Sequence, residues 1–503
     1  MKKTVLLLTA ISLAVGNGHA ANWNIGPSQT YTLPSQIRLL VQDGDTIYIE
    51  GGVYANDATK WIKKNLTFIG LGTGSNRTIL RHSGNIPNGK GIFVFETPGT
   101  CDNASIDNIV FDGAMVSDAD GGNGAGIRFQ ATNITVTNCL FTNCQNGILE
   151  GNGNVSSSNV IIENSEFFNN GYQLQDDPTH SGYEHHIYIG ASADTLLVKN
   201  CWFRHPRGQA NSIKTRAQRN YILYNLIDEE ATGYGSWEIN IAQGGLNVIL
   251  GNIIIQGPAS ANRGVIGYDA ATNPLQDFYF VNNTVINKNA GNINYFNTVP
   301  ASGITTFKIV NNIFASVPGA NNTLFSGNTP GALDTANNLN AVNYLLFGFA
   351  DPSANDFSLT ANAPQAIDQG TNAGITNTSY SLTPDNMYLS CSSALLPRVV
   401  SRGVIDIGAY EYSGSTSSEE NRSPAIISVY PNPSNGRIQF DISGFNFARN
   451  VTLEIYTVHG EKIYHAVVLH PRSTHDLSDL AKGIYLLKIY DGQAVLTKKI
   501  ILE

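Results

Sequence analysis

Seven short segments along the middle of the chain repeat one pattern, and that repetition limits the fold more than any other feature. ITVTNCLFTN, VIIENSEFFN, LLVKNCWFRH, YILYNLIDEE, NVILGNIIIQ, FYFVNNTVIN and FKIVNNIFAS align so that Cys139, Ser165, Cys201, Asn225, Asn252, Asn283 and Asn312 share one position. Successive copies are 26, 36, 24, 27, 31 and 29 residues apart. Two residues further on stand Phe141, Phe167, Phe203, Ile227, Ile254, Val285 and Phe314, which strand geometry directs to one side. This spacing is what one coil of a parallel β-solenoid requires, since each coil holds two or three short strands and their corners. A sandwich of hairpins would need two-residue turns between the strands, and these are not systematically present. The expectation is a solenoid in which the small or Asn residue stacks and hydrogen-bonds along a corner ladder while the bulky residue fills the interior.

Composition agrees. The 503 residues include 49 Gly and 56 Asn, a bias toward tight turns that excludes an all-helical protein. Only 14% of residues are charged and the net charge is -9, so the surface as a whole repels nucleic acid and anionic lipid. No apolar run is long enough to cross a bilayer. Five scattered cysteines (Cys101, Cys139, Cys144, Cys201, Cys391) do not form the pattern of a disulfide scaffold. They read as small buried packing residues, with at most one bridge.

The N-terminus has the charge and hydropathy of a secretory signal, residues 1–20. Lys2 and Lys3 precede an apolar stretch from Val5 to Val15, and Gly18-His19-Ala20 supplies small residues for cleavage. LPSQIRLLVQDGDTIYIEGGVYAN then opens the repeats. Asn362-Ala363-Pro364 to Ile367-Asp368, followed by Asp406-Ile407-Gly408-Ala409-Tyr410-Glu411-Tyr412, closes them. On these residues the stretch 21–412 resembles the secreted right-handed parallel β-helix superfamily that includes pectate-lyase-like and other polysaccharide-acting proteins. The resemblance implies the architecture strongly and a reaction only weakly.

A Ser- and charge-rich linker, SGSTSSEENRSP, follows at 413–424. Beyond it the composition changes: 38 of the 250 residues from Cys101 to Ala350 are Asn, and none is between Val451 and Glu503. Tyr430-Pro431-Asn432-Pro433 with Asn435-Gly436, Leu480 through Gly483-Ile484-Tyr485, and Lys498-Lys499-Ile500-Ile501 occur in order. In these blocks residues 425–503 resemble the C-terminal sorting domain of the type IX secretion system. The alternating VTLEIYTVHG and GIYLLKIYD suit a small antiparallel β-sandwich. The resemblance implies an all-β protein exported to the cell surface or beyond, with the secretion machinery as partner. The expected state is a monomer.

A solenoid buries its interior, so chemistry must lie on an outer wall where side chains of successive coils stack. Four of the five His outside the signal and sorting segments (His180, His185, His186, His205) fall within 26 residues. Six of the nine Lys and Arg between Gly91 and Phe307 (Lys199, Arg204, Arg207, Lys214, Arg216, Arg219) fall within 21. Aligning HHIYIG, NSIKTR and WEINIA with Ile187, Ile213 and Ile239 inward predicts two outward columns. One is Tyr188, Lys214 and Asn240, with Arg216 two residues beyond Lys214; the other is His186, Ser212 and Glu238.

A cationic wall of this kind suits an acidic polysaccharide. Cleaving a uronate chain by β-elimination needs a cation to neutralise the sugar carboxylate, a base for the C5 proton and an acid for the leaving oxygen. Lys214, crowded by Arg216 and Arg219, is the candidate base, Arg216 the carboxylate partner, and Tyr188, His186 or His185 the proton donor. Arg207, His205, Glu238, Asn240, Trp237 and Tyr268 are candidate substrate contacts. Calcium is the alternative neutralising group, with Glu238, Asn240 and Asp228 as oxygen donors. Adjacent His185 and His186 on one strand must point to opposite sides, so at least one is a packing residue. Lys199 and Arg204 read as solvated corner charges, and Arg219 as a partner of Asp228 or Glu229 on the next coil. Two other classes compete. Glycoside hydrolysis would draw on Asp176-Asp177, Asp228-Glu229-Glu230 and Glu238, and a non-catalytic glycan binder would stack sugars on Tyr234, Trp237 and Tyr268.

Overall fold

The computed structural model describes residues 20–503 except 97, 152–157, 173–178, 181, 271, 300–302, 327, 401–402, 414–425, 444–450, 458–460, 469, 471 and 491–494. The signal segment up to residue 19, nearly all of the linker, and Asp176-Asp177 lie outside the described residues. The chain divides into two units, Met1–Ser413 and Gly414–Glu503.

The first unit is the expected parallel solenoid. Three long sheets of 12, 11 and 10 strands, here A, B and C, run its length, and each complete coil contributes one strand to each. In one coil, Ala193–Lys199 lies in sheet A, Trp202–Arg204 in B and Asn211–Thr215 in C, and the next coil begins at Arg219–Leu223 in A. Phe111, Phe141, Phe167 and Phe203 form a parallel stack in the interior with centroids 4.8–5.0 Å apart. The ring spacing follows the strand spacing, so aromatic contact is repeated once per coil.

Asparagine performs two different jobs at the corner from sheet A to sheet B. Asn138, Asn164, Asn200, Asn282 and Asn311 take φ of 50–58°, a left-handed conformation that Asn tolerates better than other non-glycine residues. The residue that follows each one forms the ladder. The Asn225 N–H donates to Asn252 Oδ1, the Asn252 N–H to Asn283 Oδ1, the Asn283 N–H to Asn312 Oδ1 and the Asn312 N–H to Asn338 Oδ1, all at 2.8–2.9 Å. Each amide also donates back to a carbonyl of the preceding coil, as Asn252 Nδ2 does to Ile222 O. In earlier coils Ser165 and Asn225 accept from the Cys139 and Cys201 N–H groups. The Cys139, Cys144 and Cys201 thiols are buried and donate to main-chain oxygens, as packing residues do.

After the last coil the chain turns back and lies along the outside of the solenoid. Its contacts reach coils far apart: Asn311 Nδ2 donates to Thr371 O, Tyr224 Oη to Asp385, and Asn200 Nδ2 to Ser393 O. Arg398 fixes this strap from a fully buried position, bonding Glu411 and the carbonyls of Asp406, Gly408 and Tyr410. A guanidinium so placed has its charge and most of its donors satisfied at once.

The second unit contains a three-stranded antiparallel sheet in the order Ile426–Tyr430, Arg437–Ser443, Arg472–Asp476 and a four-stranded one in the order Lys462–Val468, Val451–Thr457, Gly483–Tyr490, Val495–Leu502. Phe440 and Ile442 from the first share one buried cluster with Leu453, Ile455, Leu487 and Ile489 from the second, which is the predicted sandwich.

Candidate functional site on sheet C

Strand pairing in sheet C sets Tyr188 beside Lys214 and Lys214 beside Asn240. The expected column therefore exists, and all three side chains are half-buried on the outer face. Lys214 Nζ lies 5.4 Å and Arg216 Cζ 5.8 Å from the centre of the Tyr188 ring, so one aromatic ring serves two cations. Lys214 Nζ donates to Gly182 O at 3.4 Å. Burial pushes the lysine pKa down, Arg216 adds to the effect, and Asp269 opposes it. Burial raises the Asp269 carboxyl, with Lys214 and Arg216 pulling it back. Arg216 Nε is buried with no hydrogen-bond partner among the described residues.

His185 and His186 do point to opposite sides. His185 lies on the outer side, its ring 5.7 Å from Tyr188, and its Nδ1 accepts the Asn211 N–H. It is nevertheless buried, and desolvation together with Lys214 holds it neutral. His186 is in the interior, its ring 6.4 Å from Phe167 and 6.1 Å from Phe203, with Nδ1 taking a bond from Asn170 Nδ2. Burial, with His205 and Arg207 contributing, drives its pKa down to about 3.

The second expected column is thus corrected: His186, Ser212 and Glu238 are buried and do not face solvent. The paired registers run His185 with Asn211 and then Ile187 with Ile213, omitting the residue between. At that step two successive side chains turn inward. A Cβ placed on Gly126 or Gly147, the same position in earlier coils, would press into Phe141 or Phe167. Glu238 has no partner for either carboxylate oxygen among the described residues, and burial and then Glu229 raise its pKa far above the ordinary range. It is a neutral carboxyl of the interior.

Tyr268 is likewise a core residue. It is fully buried, packs edge-on to Phe278 and Phe307, and donates to Gln276. Its alternation with Gly267 puts it on the inward side, so it offers no platform to a sugar. His205 and Arg207 belong to the passage between sheets B and C rather than to the wall. His205 has φ 51° and contacts Asn169 and Thr232, and Arg207 bonds Gly171 O. Trp237 does reach the outer side: a Cβ on Gly264 would come within 2.2 Å of its ring, so that glycine makes room for the indole. The three oxygen donors considered for calcium diverge. Glu238 is interior and Asn240 exterior on sheet C, and Asp228, in a sheet B strand, is bonded by Asn355. Arg219 pairs with Asp194 on the preceding coil, and Arg204 joins Glu166 and Glu230, not bulk water alone.

The structure extends the wall where the sequence reading stopped. Arg128 and Leu149 occupy the same column, two and one coils before Tyr188. Arg128 is half-buried, and its Nε has no hydrogen-bond partner among the described residues. Glu150, adjacent to Leu149, accepts the Gly190 N–H and the Ser192 hydroxyl, and burial raises its pKa to about 7. Arg128, Leu149, Glu150, Tyr183, Tyr188 and Ser192 surround a cavity of about 440 Å³. A larger hollow of about 530 Å³ lies elsewhere, beneath the strap around Thr371 and Val404, away from this cationic column. His180 stands near the sheet C cavity, stacked on Tyr172 and bonded to Glu184 and Asp118. Arg128, Glu150 and Asp269 lie outside the three strands HHIYIG, NSIKTR and WEINIA; carrying that alignment to the neighbouring sheet C strands reaches them.

Residues 428–503 match the secretion system C-terminal sorting domain. The protein is therefore exported, to the cell surface or beyond it. No curated protein matches the chain. Two solved structures are similar at 13% and 12% identity and TM-scores of 0.34 and 0.33. The first is a tailspike protein, gp49, of Acinetobacter baumannii bacteriophage Fri1, described as a capsular polysaccharide depolymerase; the match covers 97% of this chain and 80% of that one. The second is a PL6 family alginate lyase, AlyGC, with 80% and 58% covered. The solenoid architecture rests on the strand pairing itself and owes nothing to such distant likenesses. Among the described residues no helix is long and apolar enough to cross a membrane.

Proposed function

We propose that this exported protein is a polysaccharide lyase that cleaves a uronate-containing chain by β-elimination on the outer wall of sheet C. The observation that carries the reading is one row of side chains holding Tyr188, Lys214 and Arg216 together, with neither cation in an ion pair among the described residues. Two crowded cations raise the energy of the empty wall, and an anionic ligand relieves it. Arg216 pairs with the sugar carboxylate and makes the C5–H more acidic. Neutral Lys214 takes that proton, the C4–O bond breaks as the C4=C5 bond forms, and the Tyr188 hydroxyl protonates the departing oxygen. His185 packs behind Tyr188 as a neutral ring and adds no charge.

The test is incubation with a panel of polyuronates, following the ultraviolet absorbance of the unsaturated product and, separately, new reducing ends. Lys214→Ala should lose roughly 10²- to 10⁴-fold in rate, the usual span for removing a general base. Wild-type rate should climb with pH below the ordinary lysine value of 10.5, because the base must be unprotonated and its pKa is lowered. A Lys214→Ala protein of undiminished rate ends the assignment of the base. One observation favours glycoside hydrolysis as a second reading: Glu150, with a pKa of about 7 beside the cavity, has the acidity suited to a general acid. Reducing ends without absorbance would select it.

A further inference from the structure

We infer that the cavity around Arg128 is a second anion subsite, which makes the wall a reader of polymers with charge on several residues of one chain. This rests on the reading of Lys214 and Arg216 as the place where one sugar carboxylate binds. Register puts Arg128, Leu149, Tyr188 and Lys214 on consecutive strands in a single column. Three strand spacings amount to roughly 14 Å. A pyranose unit in an extended chain advances by about one such spacing, so an anionic glycan lying along the solenoid axis brings units about three apart to the two cationic positions.

The two ends of this span share a chemical condition. Arg128 Nε and Arg216 Nε are both buried and lack hydrogen-bond partners among the described residues. A guanidinium donor left in that state costs free energy that a carboxylate recovers with two parallel bonds. Tyr188 joins the ends, lining the cavity with Arg128 on one side and facing Lys214 and Arg216 on the other. Leu149, between them in the column, is buried and lines the same cavity as Arg128 and Tyr188. Glu150 and Glu96 are the carboxyls that influence Arg128; Glu96 is taken up by Lys60 and Lys90, and Glu150 by Ser192 and Gly190. Neither closes on the guanidinium with a hydrogen bond.

The experiment measures binding by calorimetry of the full chain to purified oligouronates from disaccharide to hexasaccharide. Wild-type affinity should step up by about tenfold or more once the oligomer spans both positions, the size of one charge-assisted contact. Arg128→Gln should abolish that step and leave disaccharide affinity unchanged, and Arg128→Lys should restore part of it. Thermal unfolding of both variants checks that the solenoid is intact. A length step that survives in a folded Arg128→Gln protein overturns the subsite. So does wild-type binding with no step, although the lyase reading would stand. If no oligouronate binds the wild type, the reading of Lys214 and Arg216 falls and this inference with it. A sulfated, carboxylate-free oligosaccharide in parallel should bind without supporting elimination; tighter binding than the matched uronate would overturn the preference for carboxylate.

Discussion

The corner between sheets A and B and the outer wall of sheet C are built from the same repeat, yet they treat polar groups in opposite ways. At the corner the ladder residues Asn225, Asn252, Asn283 and Asn312 satisfy their donors and acceptor through the coil before or the coil after. On the wall, among the described residues, Arg128 and Arg216 keep buried nitrogens without hydrogen-bond partners, and Lys214 donates only to a carbonyl. A satisfied polar group specifies structure; an unsatisfied one is retained at a cost, and the cost needs a reason. The contrast separates the residues that hold the coil from those available to a ligand.

Breaking the ladder should have the largest effect on stability. Asn252→Ala would leave the Asn225 N–H and the Ile222 carbonyl without their bonds inside the protein, and a loss of about 3–5 kcal/mol is expected in denaturant unfolding. Phe167→Ala, in the middle of the ring stack, should cost about 3–4 kcal/mol by the same measurement. A ladder variant that proves harmless would erase the distinction between corner and wall.

Glu150 sharpens the contrast through pH. Its folded pKa, about 7, exceeds the ordinary 4.5, so between those values the folded state holds the proton more firmly than the unfolded chain. Its stabilising contribution is complete below about pH 4.5 and is lost as pH rises through 7. Glu150→Gln should therefore be stabilised by about 1–2 kcal/mol at pH 8 relative to wild type, with the gain vanishing at pH 4, as read from melting temperature against pH. The smallest effect should come from Arg219→Ala. That residue pairs with Asp194 while about 42% exposed, and such a pair contributes under about 0.5 kcal/mol.

Much of the scaffold was legible in the chain. The period gave the coil, Asn225, Asn252, Asn283 and Asn312 gave the ladder, and the loss of Asn after residue 450 gave the second unit. Strand alternation also placed Tyr188, Lys214 and Asn240 in one column. It failed two residues earlier, at His186, Ser212 and Glu238, because a bend turns two neighbours inward and strict period-2 reasoning has no place for it. Tyr268 misled for a different reason: aromatic character suggests a sugar platform, whereas a solenoid interior consumes rings just as readily.

The strap that returns from residue 352 toward Tyr412 alters how such a molecule comes apart. A stack of coils in which each touches only its neighbours can fray one turn at a time from either end. Here a single run of chain clamps the neighbouring turns carrying Asn200 and Tyr224 to the turn carrying Asn311, which pairs with neither, and Arg398 locks the clamp shut. Peeling the final turns means prising off a brace that also grips the middle. The turns from Asn200 to Asn311 are thus expected to melt as one body, so the row that carries Lys214 and Arg216 is not lost piecemeal.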